Sequence, residues 1–169
     1  IIDNAKLRKK KRSGLTKNQL DPDAPLDGKI LAMIFEKPST RTRISFELAV
    51  NQLGGKSITL NPDEIHYGSG NESLHDTAKV LSQYADIVML RTHMHKKIID
   101  FSKYLNIPII NGLTDLNHPC QIMSDVMTYE ELKGPIKNKK IAWLGDGNNM
   151  LYSLIEASVQ FDFELSIAC

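Results

Sequence analysis

A chain of 169 residues, 41% hydrophobic and 24% charged, can form one ordinary domain or one domain with part of another, and has the balance of a globular protein. Its net charge of +1 gives no general reason to expect nucleic acid as a partner, and no apolar run approaches the roughly 18 residues of a membrane-spanning helix. Two cysteines, Cys120 and Cys169, are too few for a disulfide framework, so a reducing, cytoplasmic setting is expected, while Ile1 as first residue leaves a preceding targeting segment open.

In chain order, the first feature is the basic run Arg8-Lys9-Lys10-Lys11-Arg12. It suits either a localisation or polyanion patch or the solvated basic end of a helix. The lack of interleaved aromatic residues favours the helix end. Lys29 to Phe35 is nearly continuous in apolar residues, as in a strand covered on both faces. Phe46, Ala49, Val50 and Leu53 then follow at helical spacing, and Gly54-Gly55 ends that helix. Ser57 to Leu60 is a second strand. Leu74, Thr77, Ala78 and Leu81 mark a helix with Asn71 as its expected cap.

Asp86 to Arg91 is a third strand, and Ile98, Phe101 and Leu105 mark the next helix. Ile107 to Asn111 is a fourth strand, whose Pro108 points to a strand start or a sheet edge. Helix spacing runs from His118 to Leu132, with Pro119 tolerated in the first turn and Gly134-Pro135 closing it. A fifth strand, Ile141 to Gly145, a helix through Leu151, Leu154, Ile155 and Ser158, and a sixth strand, Glu164 to Cys169, complete the chain.

Such alternation predicts an α/β fold with a parallel sheet, right-handed crossovers and helices on both faces. A parallel sheet left at a final strand has an uncovered face, so part of a second domain is expected to be missing. The domains are placed at residues 1–133, including an interdomain helix over 118–133, and at residues 134–169.

The most informative stretch is Phe35-Glu36-Lys37-Pro38-Ser39-Thr40-Arg41-Thr42-Arg43. It leaves the carboxyl end of a strand and opens a helix, where open α/β sheets bind ligands. Helix-start amides there lack internal partners, and the dipole attracts anions by about 0.3–1 kcal/mol, up to about 2 when partly buried. Hydroxyls of Ser39, Thr40 and Thr42 add neutral donors. Arg41 adds a charged one, with Arg43 a second candidate, and guanidinium suits a phosphate better than an ammonium does. The stretch has neither the glycines nor the lysine of a nucleotide P-loop, so a small phosphorylated compound is expected. The alternative is that Ser39 only caps the helix and the arginines are solvated.

Arg91 ends the third strand and can reach the same edge or stand in solvent. Asn117-His118-Pro119-Cys120-Gln121 opens the helix after the fourth strand, where His118 can donate to a carbonyl oxygen and Gln121 can contact an amide. Taken alone, His118 and Cys120 also suit purely structural roles. His93 and His95 stand two apart with no cysteine pair beside them, so no metal set is legible.

With these motifs in view, the chain from about residue 28 onward resembles the ornithine carbamoyltransferases. The matching text is Phe35 to Val50, Asn71-Glu72-Ser73 with Asp76-Thr77-Ala78, Pro108 to Gln121, and Gly145-Asp146-Gly147-Asn148-Asn149. The resemblance implies a carbamoyl-phosphate domain followed by the start of an ornithine-binding α/β domain. Ser39, Thr40, Arg41 and Thr42 are then the residues that bind carbamoyl phosphate, with Arg91 and the run His118, Pro119, Cys120 and Gln121. Thr42, Arg91 and His118 carry the catalytic role, and Asn149 contacts L-ornithine.

His66 stands where the family commonly has a glutamine that reaches carbamoyl phosphate from a neighbouring subunit, and a homotrimer or multiple of trimers is implied. The implied reaction yields L-citrulline and phosphate with no metal or organic cofactor. The family's later ornithine motif, its His-Cys-Leu-Pro loop and a C-terminal arginine are expected beyond Cys169. If the natural chain ends there, anion binding with little turnover is expected.

Two rival readings remain beside a non-catalytic anion-binding module. An aspartate-type carbamoyltransferase shares the phosphate grip, although Cys120 and the Gly145 to Asn149 run favour the ornithine type. Gly145-x-Gly147 after a strand also suggests a nicotinamide-binding oxidoreductase, but Met150 stands at the third glycine position and Glu164 only approximates the ribose-binding acid.

Overall fold

Ile30–Phe35 forms β1, one of two inner strands of a sheet, and its residues Leu31 to Ile34 are all buried. The computed structural model describes residues 1–61 and 73–169. Ahead of β1 lies helix α1 (Ile2–Lys11), and after it come α2 (Thr40–Gln52), β2 (Lys56–Leu60), α3 (Leu74–Tyr84), β3 (Ile87–Arg91), α4 (His95–Ser102) and β4 (Ile109–Leu113). The remainder is α5 (Pro119–Lys133), β5 (Lys140–Leu144), α6 (Asn149–Phe161) and β6 (Glu164–Ala168).

The first sheet has the order β2-β1-β3-β4. β1 pairs in parallel with β2, Ile30 opposite Lys56, and with β3, Phe35 opposite Arg91. Parallel strands need crossover segments, and these cover both faces of the sheet with helices. Successive side chains of a strand point to opposite faces. Leu31, Met33 and Met89 accordingly pack with Val50 of α2. Ala32, Ile34, Val88 and Leu90 pack on the other face with Ala78 and Leu81 of α3 and with Ile98 and Phe101 of α4.

α2 ends in a left-handed glycine cap. Gly54 has φ +89°, its N–H donates to Asn51 O at 3.1 Å, and Gly55 N–H donates to Val50 O at 2.9 Å, so two orphan carbonyls are satisfied. β4 lies at the sheet edge, and Pro108 immediately precedes it, its carbonyl accepting from Val88 N–H at 3.0 Å. The strand starts two residues later than the apolar pattern indicated. α4 stops at Ser102, so Leu105 lies beyond the helix yet still packs on the core. The cap of α3 is Ser73, whose side chain accepts from Asp76 N–H, rather than Asn71, which falls outside the described residues.

Contacts divide the chain into two compact units, residues 12–112 and residues 1–11 with 113–169. This division and the expected boundary at Gly134-Pro135 do not coincide. Ile122 and Val126 of α5 share one buried cluster with Ile2, Ile136, Ala157 and Phe163, so α5 groups with α1 and α6. In this second unit β5 pairs in parallel with β6. Arg8 to Lys11 of the basic run form the last turn of α1, where Lys9 pairs with Glu131 at 2.7 Å and Arg8 donates to Asn4 at 3.1 Å. Arg12 pairs with the buried carboxylate of Asp21 within the first unit. The helix-end reading of that run is therefore the one the structure supports. No helix among the described residues is long and apolar enough to cross a membrane.

Two substitutions test this packing. Phe101 is fully buried, and Phe101→Ala is expected to lower unfolding free energy by about 3–5 kcal/mol in urea titrations. A Cβ added at Gly112 would meet Met89 Sδ at 2.3 Å and Arg91 Cβ at 3.3 Å, so Gly112→Ala is expected to cost about 1–3 kcal/mol by overpacking.

Candidate anion-binding site

Between the end of β1 and the start of α2, the chain runs through Glu36 to Ser39. Ser39 is the N-cap of α2, with extended backbone at φ −156° and ψ 102°, yet its hydroxyl makes no capping hydrogen bond. Elsewhere in the molecule the same position is used differently. Ser73 accepts from Asp76 N–H, and Asn148 accepts from Met150 N–H and Leu151 N–H. The first intrahelical bond of α2 runs from Arg43 N–H to Ser39 O at 3.4 Å, so the amides of Thr40, Arg41 and Thr42 precede it. No acidic residue occupies this first turn to answer the dipole. The reading in which Ser39 serves only as a cap thus loses its main support.

Arg91 ends β3 directly opposite Phe35. Its Nη1 donates to Thr42 Oγ1 at 3.3 Å. Its Nε is buried and has no hydrogen-bond partner among the described residues. Burial, and then the nearby positive charge of Arg41, pull the Arg91 guanidinium below its ordinary pKa. Both causes disfavour the cation, and the charge of a nearby anion would offset them. An arginine nevertheless stays protonated at neutral pH. Ser39, Thr40, Arg41, Thr42 and Arg91 are therefore brought to one sheet end within the unit of residues 12–112.

Arg43 is directed elsewhere. Its Nε donates to Glu47 Oε1 at 3.0 Å, one turn along α2. That bond, outweighing burial, holds the Glu47 carboxyl below its usual range, and Thr59 adds a donor at 3.0 Å.

In the second unit, His118 is the N-cap of α5 and Pro119 occupies its first turn. The His118 backbone N–H donates to Ser153 Oγ at 2.7 Å, and Ser153 donates onward to Asn149 O at 3.0 Å. Gln121 donates its side-chain amide to Asp125 at 2.9 Å. Burial pushes the Cys120 thiol up, which keeps it neutral near pH 7. Asn148 caps α6, whereas Asn149 donates its Nδ2 to Thr114 O at 2.8 Å. His118, Pro119, Cys120, Gln121 and Asn149 thus share one unit. His66 lies outside the described residues. Among the described residues, no group of three or more His, Cys, Asp or Glu side chains is placed to hold a metal ion.

Sequence reasoning passed over Glu36, Thr92, Lys97 and Ser153. The strand alternation that puts Thr92 on the face opposite Arg91 was the available signal for Thr92 alone. Ser153 carried none, because a serine inside a helix pattern does not announce what it accepts.

The family model described as "Aspartate/ornithine carbamoyltransferase, carbamoyl-P binding domain" matches residues 1–131. The chain is 52% identical over 169 residues to an ornithine carbamoyltransferase of Brucella ovis, covering 99% of this chain and 52% of that protein. It is 50% identical over 168 residues to one of Rhizobium meliloti, covering 99% and 54%. Among solved structures, an ornithine carbamoyltransferase from Pyrococcus furiosus aligns with TM-score 0.91 at 44% identity, over 99% of this chain and 51% of that one. The catalytic subunit of an aspartate transcarbamoylase from M. jannaschii aligns with TM-score 0.82 at 37% identity, over 99% and 54%. The chain spans about half the length of the curated relatives it matches.

Inorganic phosphate at about 100 times its Kd is expected to stabilise the chain by about 2.7 kcal/mol, read as a raised Tm. Arg41→Ala is expected to abolish most of that shift, and an unchanged shift would place the anion elsewhere.

Proposed function

The chain belongs to the aspartate/ornithine carbamoyltransferase family, and on that premise we propose that it carries the carbamoyl-phosphate grip of an enzyme that transfers the carbamoyl group to the δ-amine of L-ornithine. The observation that carries this reading is the pairing of an uncapped helix start with a half-buried, electrostatically stressed arginine. Arg91 reaches Thr42 at 3.3 Å, and its buried Nε has no partner among the described residues.

Residues 1–133 are assigned to the carbamoyl-phosphate domain and 134–169 to the start of the ornithine domain. The matched model, which ends at residue 131, supports that division. The amides and hydroxyls of Ser39, Thr40 and Thr42, with Arg41, hold the phosphate and take up its charge as it departs. Thr42, Arg91 and His118 donate to the carbamoyl oxygen as it becomes more negative, each worth about 3 kcal/mol in the transition state. Pro119, Cys120 and Gln121 complete the grip. Holding the two substrates in line contributes about 7–11 kcal/mol more.

The neutral amine of ornithine attacks the carbamoyl carbon. A C–N bond forms, the bond from that carbon to the bridging anhydride oxygen breaks, the amine loses a proton, and citrulline and phosphate leave. Asn149, with its Nδ2 engaged by Thr114 O, keeps its carbonyl oxygen as the acceptor for an ornithine donor. The chemistry calls for no organic cofactor or metal. By the same reading, His66 reaches carbamoyl phosphate from a neighbouring subunit, the assembly is a homotrimer or a multiple of it, and the setting is cytoplasmic.

The test is calorimetric. The chain is expected to bind carbamoyl phosphate, and Arg91→Met to raise the Kd about 10- to 100-fold through loss of charge-assisted hydrogen bonds. An unchanged Kd would remove Arg91 from the site. The 169-residue chain alone is expected to turn over little, and in the full-length enzyme the rate is expected to rise with pH until the ornithine amine is free. Cys120, held neutral near pH 7, contributes no thiolate there. From the full-length enzyme the product is expected to be citrulline in excess of carbamoyl-aspartate; the reverse ratio would mark the aspartate-type reaction.

A further inference from the structure

Behind the anion loop, on the opposite face of the sheet, lies a second group of polar side chains that the proposed chemistry does not use. Glu36 follows β1 directly. Its backbone N–H donates to Arg91 O at 2.9 Å, extending the β1–β3 ladder by one residue. Strand alternation directs Arg91, like Met89, toward the α2 face, and Thr92, like Leu90, toward the α3 and α4 face. The Glu36 carboxylate takes the latter side. It accepts from the hydroxyl of fully buried Thr92 on one oxygen and from Lys97 Nζ of α4 at 2.8 Å on the other. The Glu36 side chain is only 12% exposed.

A mostly buried carboxylate at the edge of a phosphate site is an unexpected choice, because its charge opposes that of the ligand. The ion pair with Lys97 offsets the charge, and the hydrogen bonds make the carboxylate a fixed point. Three elements meet at it: the exit of β1, which leads in three residues to Ser39; the exit of β3, which carries Arg91; and α4. We propose that Glu36 is a positioning residue that holds the β3 exit against the anion loop, so that Arg91 stays within reach of Thr42 and of a bound phosphate. Glu36 does not touch the ligand. It acts through its grip on the residue after Arg91 and on the Arg91 carbonyl. This inference rests on the carbamoyl-phosphate reading of the site.

The test uses the 169-residue chain, inorganic phosphate as probe, and two readouts: Kd by calorimetry and the Arg91 Nε–Hε NMR signal, assigned by its loss in Arg91→Lys. Glu36→Ala is expected to weaken phosphate binding about tenfold and to shrink the phosphate-induced shift of the Arg91 signal. Glu36→Gln keeps an acceptor for Thr92 but loses the ion pair, and is expected to recover part of the binding, to about threefold weaker than the parent. Leu81→Ala, in the cluster under the same sheet face, is expected to lower Tm while leaving Kd and the Arg91 shift unchanged.

Parental affinity in Glu36→Ala, or equal weakening in Leu81→Ala, would overturn the positioning role. Should Glu36→Ala not fold, Glu36→Gln decides, since parental Kd with a parental Arg91 shift would overturn it as well. A parent chain whose Arg91 signal ignores phosphate would sink the carbamoyl-phosphate reading itself and this inference with it.

Discussion

Positive charge and unsatisfied donors gathered at one strand end, with no carboxylate in the same turn to answer them, form the constraint on which the site depends. Arg91 is partly desolvated beside Arg41, and both conditions oppose its charge. The helix start below it has a cap residue that does not cap and a first turn free of acid. Each feature alone lowers stability slightly. On the proposed reading, a dianion supplies what the protein leaves out. That is preorganisation in the physical sense: donors are fixed before the ligand arrives, and the fold bears their mutual repulsion.

The parallel sheet makes this arrangement possible. In a parallel sheet every strand exits on the same edge, so the loop after β1 and the last residue of β3 are neighbours by construction, as the pairing of Phe35 with Arg91 shows. The alternation of side chains then divides labour between the two faces. Arg91 serves the α2 side, and Thr92 anchors the strand from the α4 side through Glu36. Gly112 on the edge strand belongs to the same logic, since a larger residue there would press on Met89 and on the Cβ of Arg91. In the second unit Asn148 is used as a cap, while its neighbour Asn149 donates its Nδ2 to Thr114 O.

Much of this was legible in the sequence, for identifiable reasons. The run from Lys29 to Phe35 announced a strand buried on both faces, and the hydroxyl and guanidinium pattern after it pointed to the sheet end where Thr42 and Arg91 meet. Periodicity gave every other strand to within two residues at its ends, and most helices to within about a turn. β4 started late because Pro108 sits just before the ladder, and α3 took Ser73 as its cap. Local pattern carries no information about which distant carboxylate a side chain will meet. The sequence therefore left Arg43 as a second anion candidate, when Glu47, itself accepting from Thr59, draws it along α2. For the same reason Glu36 read as part of a motif rather than as a partner of Lys97. The grouping of α5 with α1 and α6 depends on Ile2, Ile122 and Phe163 meeting in one cluster, a long-range fact that spacing does not encode.

The most direct measurement of the central claim is a crystal structure of the chain soaked with a phosphonate mimic of carbamoyl phosphate. The account predicts phosphonate density at the start of α2, within hydrogen-bond distance of the amides that follow Ser39 and of Arg91 Nε. Density at another place on the molecule, with the start of α2 left to solvent, would contradict it.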